Sequence, residues 1–289
     1  MNPFETNIIN LYQNKGQKWL NSLPKLVEMA AAQYGLSDLQ PVNNLSYNYV
    51  LSGFQSSKPI ILKLVLDNEK LKKEALALKA FSGYGAVNVL IEKEGMLLLE
   101  RFNPGISLRS YFSTRDDIAV TIASKLMKQL NQAPIPKNLD FPHIKDWLAV
   151  LDKDWDIPDH YLSKARKFRD KLLASSTTPV LLHGDLHHDN ILQNGNEWMA
   201  IDPKGVIGET CFELTAFIRN PIPELLESLN PVKIIKKRIN NFAQTLELDP
   251  ERIKNFSFVA AVLSWVYALE DGCHDNHFRC LTNMFNNLC

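Results

Sequence analysis

The stretch that decides the fold of this chain is VLLHGDLHHDNILQNGNEWMAIDPKGVIG, residues 180–208. Within it, the pair Asn194-Gly195 separates an apolar run at 191–192 from a second apolar run at 198–201. Asn-Gly between two apolar runs is a strong short-range signal for a β-hairpin. The sequence therefore predicts that the chain folds back on itself within this stretch.

Three oxygen-bearing side chains flank the predicted hairpin: Asp185, Asn190 and Asp202. Because the chain folds back, we expect Asp202, at the exit of the second strand, to lie close to Asn190, just before the first. One carboxylate and one amide oxygen make a site that suits magnesium held together with phosphate oxygens. Asp185 precedes Asn190 at a distance where a substrate hydroxyl can hand over its proton. This spacing points to phosphoryl transfer.

The pattern H-x-D-x-x-x-x-N followed by a second Asp matches protein kinases. Gly184 stands where that template has Arg, and the segment 202–205, DPKG, stands where it has D-F-G. With these departures the chain resembles the aminoglycoside phosphotransferase family of small-molecule kinases. Within that family it resembles the streptomycin 6-kinase and hydroxyurea phosphotransferase group, the aminoglycoside/hydroxyurea antibiotic resistance kinases.

The resemblance runs through most of the chain. Its motifs are HGDLHHDNIL (183–192), AIDPKGVIG (200–208), GQKWLNSLP (16–24), LALKAFSGYGAVNVL (76–90), LLLERFNPG (97–105) and LSWVYALEDG (263–272). It implies an α+β, protein-kinase-like fold of two lobes, with ATP as co-substrate and Mg²⁺ as cofactor. The expected lobes are a small nucleotide-binding lobe at 1–102, with an N-terminal helix, an antiparallel sheet and a second helix, and a mainly helical catalytic and substrate-binding lobe at 103–289.

Composition agrees with this interpretation without requiring it. The 289 residues are 45% hydrophobic and 22% charged, enough to bury a substantial core. Lys plus Arg equals Asp plus Glu at 32 each, so no overall field favours nucleic acid or an anionic membrane. The longest apolar stretch, 256–269, is too short to span a bilayer and is predicted to be a buried helix. The sequence shows no secretory signal and no paired C-x-x-C spacing, so we expect a cytoplasmic protein. We also expect a monomer or a dimer.

Apolar periodicity and turn residues predict the other elements. They are a helix containing Trp19 to Tyr34 and ended by Gly35, strands at 48–51 and 60–66 joined by a turn-rich segment at 52–59, a helix at 68–81, strands at 87–91 and 96–100, a hinge at 103–105, and mainly helices beyond Ser107.

Lys63 lies among apolar neighbours in the predicted strand 60–66, where a cation needs a partner or a phosphate. In the kinase template a strand Lys pairs with a helix Glu and holds the α- and β-phosphates of the nucleotide. Glu74, on the predicted helix, is the expected partner, with Glu69 nearby. The alternative is a lysine that faces solvent from an alternating strand. The downstream motif favours the first interpretation.

The loop expected to cover the nucleotide phosphates, Asn43–Asn48, contains no glycine, unlike the G-x-G-x-x-G loop of protein kinases. Ser46 and Asn48 are predicted to contact the nucleotide, and the alternative is an ordinary Asn/Ser-rich turn before a strand. The main chain near Glu100 and Phe102 is expected to supply the hydrogen bonds to adenine.

Three histidines, His183, His187 and His188, invite a zinc interpretation because the first two are four residues apart. They lie on a loop, however, and not on the continuous helix that presents H-x-x-x-H ligands on one face. His183 is expected instead to orient the loop by hydrogen bonds. The sequence assigns no role to the other two.

Two further charged groups leave alternatives open. Lys204 follows Asp202 and is suited either to neutralise phosphate charge or to form an ion pair with Glu209 or Glu213. An acidic group near the end of the chain is suited to attract a cationic acceptor such as an aminoglycoside; it consists of Glu270, Asp271 and Asp275. The alternative for this group is an ordinary solvated helix end.

The resemblance thus implies transfer of the γ-phosphoryl of ATP to a hydroxyl of an aminoglycoside-like acceptor of the streptomycin type. Asp185 would orient or deprotonate the hydroxyl, Asn190 and Asp202 would bind magnesium, and Lys63 would hold the phosphates. One alternative is a kinase for an unrelated small metabolite. Another is a pseudokinase that binds nucleotide as an interaction module, which the glycine-free loop favours and the intact catalytic set disfavours.

Overall fold

A long helix, α1 (Pro3–Tyr34), begins the chain in the computed structural model, which describes residues 2–43, 45–137, 139–176, 178–272 and 276–289. The Asn2 side chain caps its first turn by accepting a hydrogen bond from the Glu5 N–H at 2.8 Å. The helix begins earlier than the predicted segment and ends as predicted at Gly35, whose φ of 63° is the left-handed conformation of a helix C-cap.

A five-stranded antiparallel sheet follows, in the order β1-β2-β3-β5-β4. Its elements are β1 (Leu36–Pro41), β2 (Tyr49–Gln55), β3 (Lys58–Leu64), α2 (Asn68–Ala80), β4 (Val89–Lys93) and β5 (Met96–Glu100). The helix predicted at 68–81 and the strand predicted at 96–100 are confirmed.

The long turn predicted at 52–59 is wrong. Residues Tyr49–Gln55 and Lys58–Leu64 pair continuously, so only Ser56 and Ser57 remain in the turn. The ladder satisfies every second backbone group, and this pairing outweighs the local preference of Ser and Gly for turns. The edge strand β1 was not predicted because it buries only Leu36 and is held by pairing with β2.

The two faces of the sheet meet different helices. Trp19 and Leu23 of α1 pack in one apolar cluster with Ile60 and Leu62 of β3. Because side chains alternate along a strand, Lys63 points to the opposite face, towards α2. Strand alternation therefore explains how a lysine lies buried within an apolar strand.

The predicted hairpin is confirmed by β8 (Ile191–Asn194) and β9 (Glu197–Ala200), which pair in antiparallel register across a two-residue turn. β6 (Pro104–Ser107) pairs with β8, so the segment predicted as a hinge leads directly into the sheet that carries the hairpin. A separate antiparallel pair, β7 (Val180–Leu182) and β10 (Val206–Gly208), brackets this region in sequence.

The rest of the chain is mainly helical. Its helices are α3 (Asp116–Leu130), α4 (Ile144–Leu148), α5 (Asp159–Ala174), α6 (Thr210–Ile218), α7 (Glu224–Glu227), α8 (Pro231–Leu246), α9 (Pro250–Glu270) and α10 (His277–Asn286). The apolar stretch predicted as a buried helix lies within α9, which packs against α5, α6 and α10. Within the described ranges, no helix has both the length and the apolar character needed to cross a membrane.

The hairpin contacts the N-terminal half of the chain through main-chain hydrogen bonds of Ala200. Its N–H donates to the Gly85 carbonyl at 2.7 Å, and its carbonyl accepts from the Val87 N–H at 2.9 Å. Gly205 fits closely against α2, because a Cβ at this position would lie 2.9 Å from the Ala77 Cβ. This close approach places Asp202 beside the sheet and α2.

Candidate active site

The loop between β7 and β8 is organised by His183. The Asp185 N–H donates to His183 Nδ1 at 3.2 Å, so Nε2 carries the ring hydrogen and donates to the Ile201 carbonyl at 2.8 Å. Burial lowers the pKa of His183 to about 4, which keeps the ring neutral in this role. The predicted orienting function is confirmed. Both ring nitrogens are occupied, so this histidine has none left for zinc.

Gly184 explains why the template's Arg is missing. Its φ is 83°, and a Cβ there would lie 2.8 Å from the Trp147 ring. Its N–H donates to Glu213 of α6 at 3.0 Å. Burial raises the pKa of Glu213 to about 7, against the opposing effect of backbone N–H groups that include those of Gly184, His183 and Leu186. Glu213 thus anchors the start of the loop to α6.

The ion pair considered for Lys204 with Glu209 or Glu213 is wrong. Glu209 is buried and pairs with Arg252 through both carboxylate oxygens, at 2.5 and 2.6 Å. Glu213 binds the loop backbone, as described above. Lys204 is exposed, and its other predicted function, neutralising phosphate charge, stays a prediction.

Asn190 and Asp202 meet at the base of the hairpin, where the Ile201 N–H donates to the Asn190 carbonyl at 3.0 Å. Asn190 Nδ2 donates to the Asp185 carbonyl at 2.9 Å, and no described residue donates to its Oδ1. Asp202 has a φ of 58°, a left-handed conformation that Asp tolerates better than most residues. Its Oδ2 accepts no hydrogen bond within the described ranges. One carboxylate oxygen and one amide oxygen are therefore available, and this donor set fits magnesium.

Lys63 joins the sheet to this site. Its Nζ lies 2.8 Å from both carboxylate oxygens of Glu74 and 3.0 Å from Asp202 Oδ1. The alternative of a solvent-facing lysine is excluded, because Lys63 is only 3% exposed. Glu69, the other acid on α2, pairs at the surface with Lys72.

The charges of Lys63, Glu74 and Asp202 shift one another's pKa values. Burial lowers the pKa of Lys63, but Asp202 and Glu74 outweigh it, and the pKa lies above its ordinary value. Burial raises the pKa of Glu74, and Lys63 offsets this only in part. Burial also raises the pKa of Asp202, but Lys63 outweighs it, so the net shift is downward. Lys63 remains protonated and Asp202 remains ionised, as phosphate and metal binding would require.

The main chain at the end of β5 directs the Glu100 carbonyl and the Phe102 N–H to the same side. The Glu100 N–H donates to the Asn88 carbonyl at 3.2 Å, whereas the Arg101 N–H donates to the Pro59 carbonyl on the other side, also at 3.2 Å. Because consecutive strand residues alternate, the Glu100 carbonyl and the Phe102 N–H face the Asn88 side. In the described parts of the chain the Phe102 N–H has no acceptor. The side chain of Glu100 is itself bound to Asn88.

Ser46 and Asn48 lie in the connection between β1 and β2, Ser46 exposed and Asn48 partly buried. The Ser46 carbonyl accepts from Asn7 Nδ2 at 3.3 Å, which ties the connection to α1. Glu270 and Asp271 are exposed at the C-terminal end of α9, and no hydrogen bond or ion pair between described residues joins them to the 183–190 loop. Asp275 lies outside the described residues.

The 183–190 loop packs at His188 against a buried ion pair, Arg238 with Asp116, that the sequence analysis did not predict. His188 stacks on Phe217 of α6 with ring centroids 3.9 Å apart, and its Nε2 lies 3.4 Å from Arg238 Nη2. Arg238 is completely buried and pairs with Asp116 at 2.6 and 2.9 Å. Asp189 pairs with Arg109, 80 residues earlier in the chain, at 2.6 Å.

A sequence signal for Glu213 was present. It is the single charge in the otherwise largely apolar helix TCFELTAFI, residues 210–218. A charge inside an apolar helix requires a buried partner, by the same reasoning that singled out Lys63. Arg238 carries no such signal, because α8 contains many charged residues that face solvent.

Comparison with known proteins agrees with this geometry. A family model described as aminoglycoside/hydroxyurea antibiotic resistance kinase matches residues 36–272. Streptomycin 6-kinase of Streptomyces glaucescens is 24% identical over 284 residues, covering 93% of this chain and 91% of the relative. Streptomycin 3''-kinase of Klebsiella pneumoniae is 28% identical over 233 residues, covering 78% of this chain and 85% of the relative.

The fold is also that of solved phosphotransferases. Amicoumacin kinase hAmiN, solved with AMP-PNP, Ca²⁺ and Ami, superposes with a TM-score of 0.70 at 14% identity, covering 96% of both chains. This likeness confirms the predicted α+β, protein-kinase-like fold, with an antiparallel sheet followed by a mainly helical part.

Proposed function

The chain belongs to the aminoglycoside/hydroxyurea antibiotic resistance kinase family, as predicted, and from this premise we propose that it transfers the γ-phosphoryl of ATP to a hydroxyl of a streptomycin-type acceptor. One observation carries the proposal. Lys63 Nζ of the N-terminal sheet lies 3.0 Å from Asp202 Oδ1 beyond the hairpin, across 139 residues of sequence. This contact unites the predicted phosphate-binding lysine with the predicted metal carboxylate.

The proposed roles follow from the contacts of each side chain. Asp185 receives the proton of the acceptor hydroxyl, since its side chain is partly exposed and its backbone is held by His183. Asn190 Oδ1 and the Asp202 carboxylate are the groups that would hold Mg²⁺. Bound there, the ion supplies neutralisation of phosphate charge.

The nucleotide would be held between the two halves. Lys63, kept in place by Glu74, contacts the phosphates, and Ser46 and Asn48 cover them. The Glu100 carbonyl and the Phe102 N–H supply the hydrogen bonds to adenine. We take residues 1–102 as the nucleotide-binding lobe and residues 103–289 as the catalytic lobe. Amicoumacin kinase, which shares this fold, was solved with AMP-PNP and Ca²⁺, and this supports a nucleotide and a divalent cation as ligands of the present chain.

Positioning and charge neutralisation would provide most of the acceleration, because phosphoryl transfer has a loose transition state. Among the matched relatives are kinases named for the 6 and the 3'' positions of streptomycin, which supports a streptomycin-type acceptor without choosing its hydroxyl. Glu270 and Asp271 offer negative charge for a cationic acceptor at the end of α9.

The test is phosphorylation of streptomycin by the purified full-length chain with magnesium and ATP, followed by mass spectrometry of the product. Asp185→Asn should lower single-turnover transfer by about 10²–10⁴-fold, because Asn keeps the shape but cannot take the proton. Nucleotide affinity should stay within a few-fold of wild type. Asp189→Asn is the matched control in the same loop and should retain transfer. An Asp185→Asn variant with near wild-type transfer would refute the role assigned to Asp185.

A further inference from the structure

His187 lies in the 183–190 loop between Asp185 and Asn190, and the proposed reaction gives it no role. Its backbone is fixed relative to Asp185, because the His187 N–H donates to the Asp185 carbonyl at 3.0 Å. The side chains of the two residues also face each other, with His187 Nε2 3.9 Å from Asp185 Oδ1. Both side chains are partly exposed, at 20% and 31%. His187 is therefore a direct neighbour of the proposed base.

The hydrogen of the His187 ring is on Nε2. The Asp189 N–H donates to His187 Nδ1 at 3.3 Å, so Nδ1 carries a lone pair. Among the described residues this backbone N–H has no other acceptor. His183 shows the same arrangement, because its Nδ1 accepts from the Asp185 N–H two residues later and its Nε2 donates to a carbonyl. His187 is thus a neutral ring whose Nε2–H is a donor.

That donor is unsatisfied in the described parts of the chain. Asn190 Nδ2 lies 3.3 Å from His187 Nε2, but this amide nitrogen is itself a donor and bonds the Asp185 carbonyl at 2.9 Å. Asp189 Oδ2 lies on the other side of the ring, 3.6 Å from Nδ1. Of the two groups beside Nε2, only the Asp185 carboxylate can accept a hydrogen bond.

The Asp185 carboxylate lacks a partner as well. No described residue donates a hydrogen bond to either of its oxygens, although its N–H and its carbonyl are both held within the loop. A free donor and a free acceptor therefore lie 3.9 Å apart. Rotation about the side-chain bonds of Asp185 can close the remaining distance of about 1 Å, and catalytic hydrogen bonds are often long before substrate binds.

We propose that His187 is a positioning residue for Asp185. With the acceptor bound, the Nε2–H donates to Asp185 Oδ1, and this contact fixes the carboxylate so that Oδ2 faces the acceptor hydroxyl. The inference rests on the proposed function, since it takes Asp185 as the group that receives the hydroxyl proton. His187 is then the group that orients the base by a hydrogen bond.

In the reaction the acceptor oxygen forms a bond to the γ-phosphorus while the bond from that phosphorus to the β,γ-bridging oxygen breaks. The electron pair of the broken bond leaves with ADP, and the hydroxyl proton passes to Asp185 Oδ2. The imidazole keeps its hydrogen throughout, so His187 neither gains nor loses a proton. Its contribution is orientation, and a reacting group misplaced by about 1 Å can lower the rate by about 10²-fold.

Asparagine and glutamine separate the two ring nitrogens of His187. The Asn amide reaches about as far as Nδ1 and can accept from the Asp189 N–H, whereas the Gln amide reaches about as far as Nε2 and can donate to Asp185. Single-turnover transfer to streptomycin would be compared for wild type, His187→Asn and His187→Gln. The matched control is His160→Asn, at an exposed histidine of α5, which should transfer at the wild-type rate.

His187→Asn should lower transfer by about 10–100-fold, with nucleotide affinity and the urea midpoint close to wild type. His187→Gln should keep transfer within a few-fold of wild type, but it loses the contact with the Asp189 N–H and should have the lower urea midpoint. The two variants should therefore rank in opposite orders for transfer and for stability. Undiminished transfer by His187→Asn, or the same rank order in both measurements, would overturn the proposal.

A double variant tests whether His187 acts through Asp185. In the Asp185→Asn background, adding His187→Asn should lower transfer by no more than about twofold, because the carboxylate that His187 orients has been removed. A further loss as large as that of His187→Asn alone would mean that the two residues act independently, and the proposal would fail.

The position of the ring hydrogen can be measured without an acceptor. In ¹H–¹⁵N correlation spectra of the full-length chain with labelled histidine at about pH 8, the ring signals that disappear in His187→Asn should place the hydrogen on Nε2. A hydrogen on Nδ1 would overturn the proposal for any acceptor.

The acceptor itself is tested separately. If wild type does not phosphorylate streptomycin, that acceptor is rejected, and the same proteins are compared in magnesium-dependent hydrolysis of ATP, in which water takes the place of the hydroxyl. His187→Asn should again be slower than His187→Gln and His160→Asn. Equal hydrolysis by wild type and His187→Asn would overturn the role of His187.

Discussion

Replacing Lys63 with methionine tests the centre of the site most directly. Methionine fills a similar apolar space but removes the charge that lies 2.8 Å from Glu74 and 3.0 Å from Asp202. The side chain of Glu74 is 13% exposed, whereas that of Asp202 is 43% exposed. Water can therefore replace the lysine at Asp202, but Glu74 would be left as a buried charge without a partner.

The magnitude follows from this difference in burial. Removing one partner of a buried ion pair costs about 3–5 kcal/mol of unfolding free energy. A domain stability of about 5–15 kcal/mol can absorb this loss, so Lys63→Met should still fold. The double variant Lys63→Met/Glu74→Gln removes the stranded charge as well, and it should be more stable than the single variant.

The stability of Lys63→Met should also depend on pH. Burial raises the pKa of Glu74, and losing Lys63 raises it further, because Lys63 opposes that shift. An acid with a raised folded-state pKa contributes stability that is fully present below its ordinary pKa of 4.5 and is lost as pH rises through the folded-state value. The deficit of the single variant relative to the double should therefore be small near pH 4.5 and largest at about pH 8.

Urea unfolding followed by tryptophan fluorescence at both pH values measures this difference, and ATP consumption measures function. Both variants should lose most turnover, because both lack the phosphate-binding charge. Equal stability of the single and double variants at about pH 8 would show that Lys63 does not hold a charged Glu74. Undiminished ATP consumption would remove Lys63 from the phosphate site.

Three further changes test the rest of the site. Asp202→Ala should weaken magnesium-nucleotide binding by about 10–100-fold in a calorimetric titration, since it removes the charged ligand proposed for the metal, and wild-type affinity would exclude that ligand. The pKa of Glu213 is raised from 4.5 to about 7 in the folded state, so this group makes the wild type less stable as pH rises through that range. Glu213→Gln should remove this part of the pH dependence. Identical urea unfolding profiles of the two proteins across the range would contradict the prediction. Gly184→Ala should cost about 1–3 kcal/mol in urea unfolding, because its φ is 83° and its Cβ would lie 2.8 Å from Trp147, and an unchanged midpoint would show that the loop adjusts freely.

The elements predicted correctly from sequence are those set by local interactions. Asn194-Gly195 specifies a tight turn, so the return of the chain towards Asn190 follows from nearby residues alone. Gly35 ends α1 because a left-handed backbone favours glycine over other residues. Lys63 was singled out because a cation within an apolar run needs a partner wherever the strand lies.

The errors arose where pairing with a distant segment outweighs local preference. Residues 52–55 contain turn formers, yet they extend β2 because β3 offers a complete ladder. β1 has almost no apolar signal and exists through its pairing with β2. The acidic group of Glu270, Asp271 and Asp275 stays a prediction, because its sequence alone does not place it relative to the 183–190 loop.

The contacts that hold the catalytic loop in place, such as those of Glu213 and Arg238, could be identified only from the tertiary structure. The sequence by itself determined which residues carry the predicted chemistry, Asp185, Asn190 and Asp202, because their spacing along one loop and one hairpin is local. Only the folded chain decided that α6 runs beneath that loop, with Glu213 against its start and Phe217 against His188 near its end. Burial of a charge is a property of the surrounding packing, and packing joins residues whose separation along the chain carries no periodic signal.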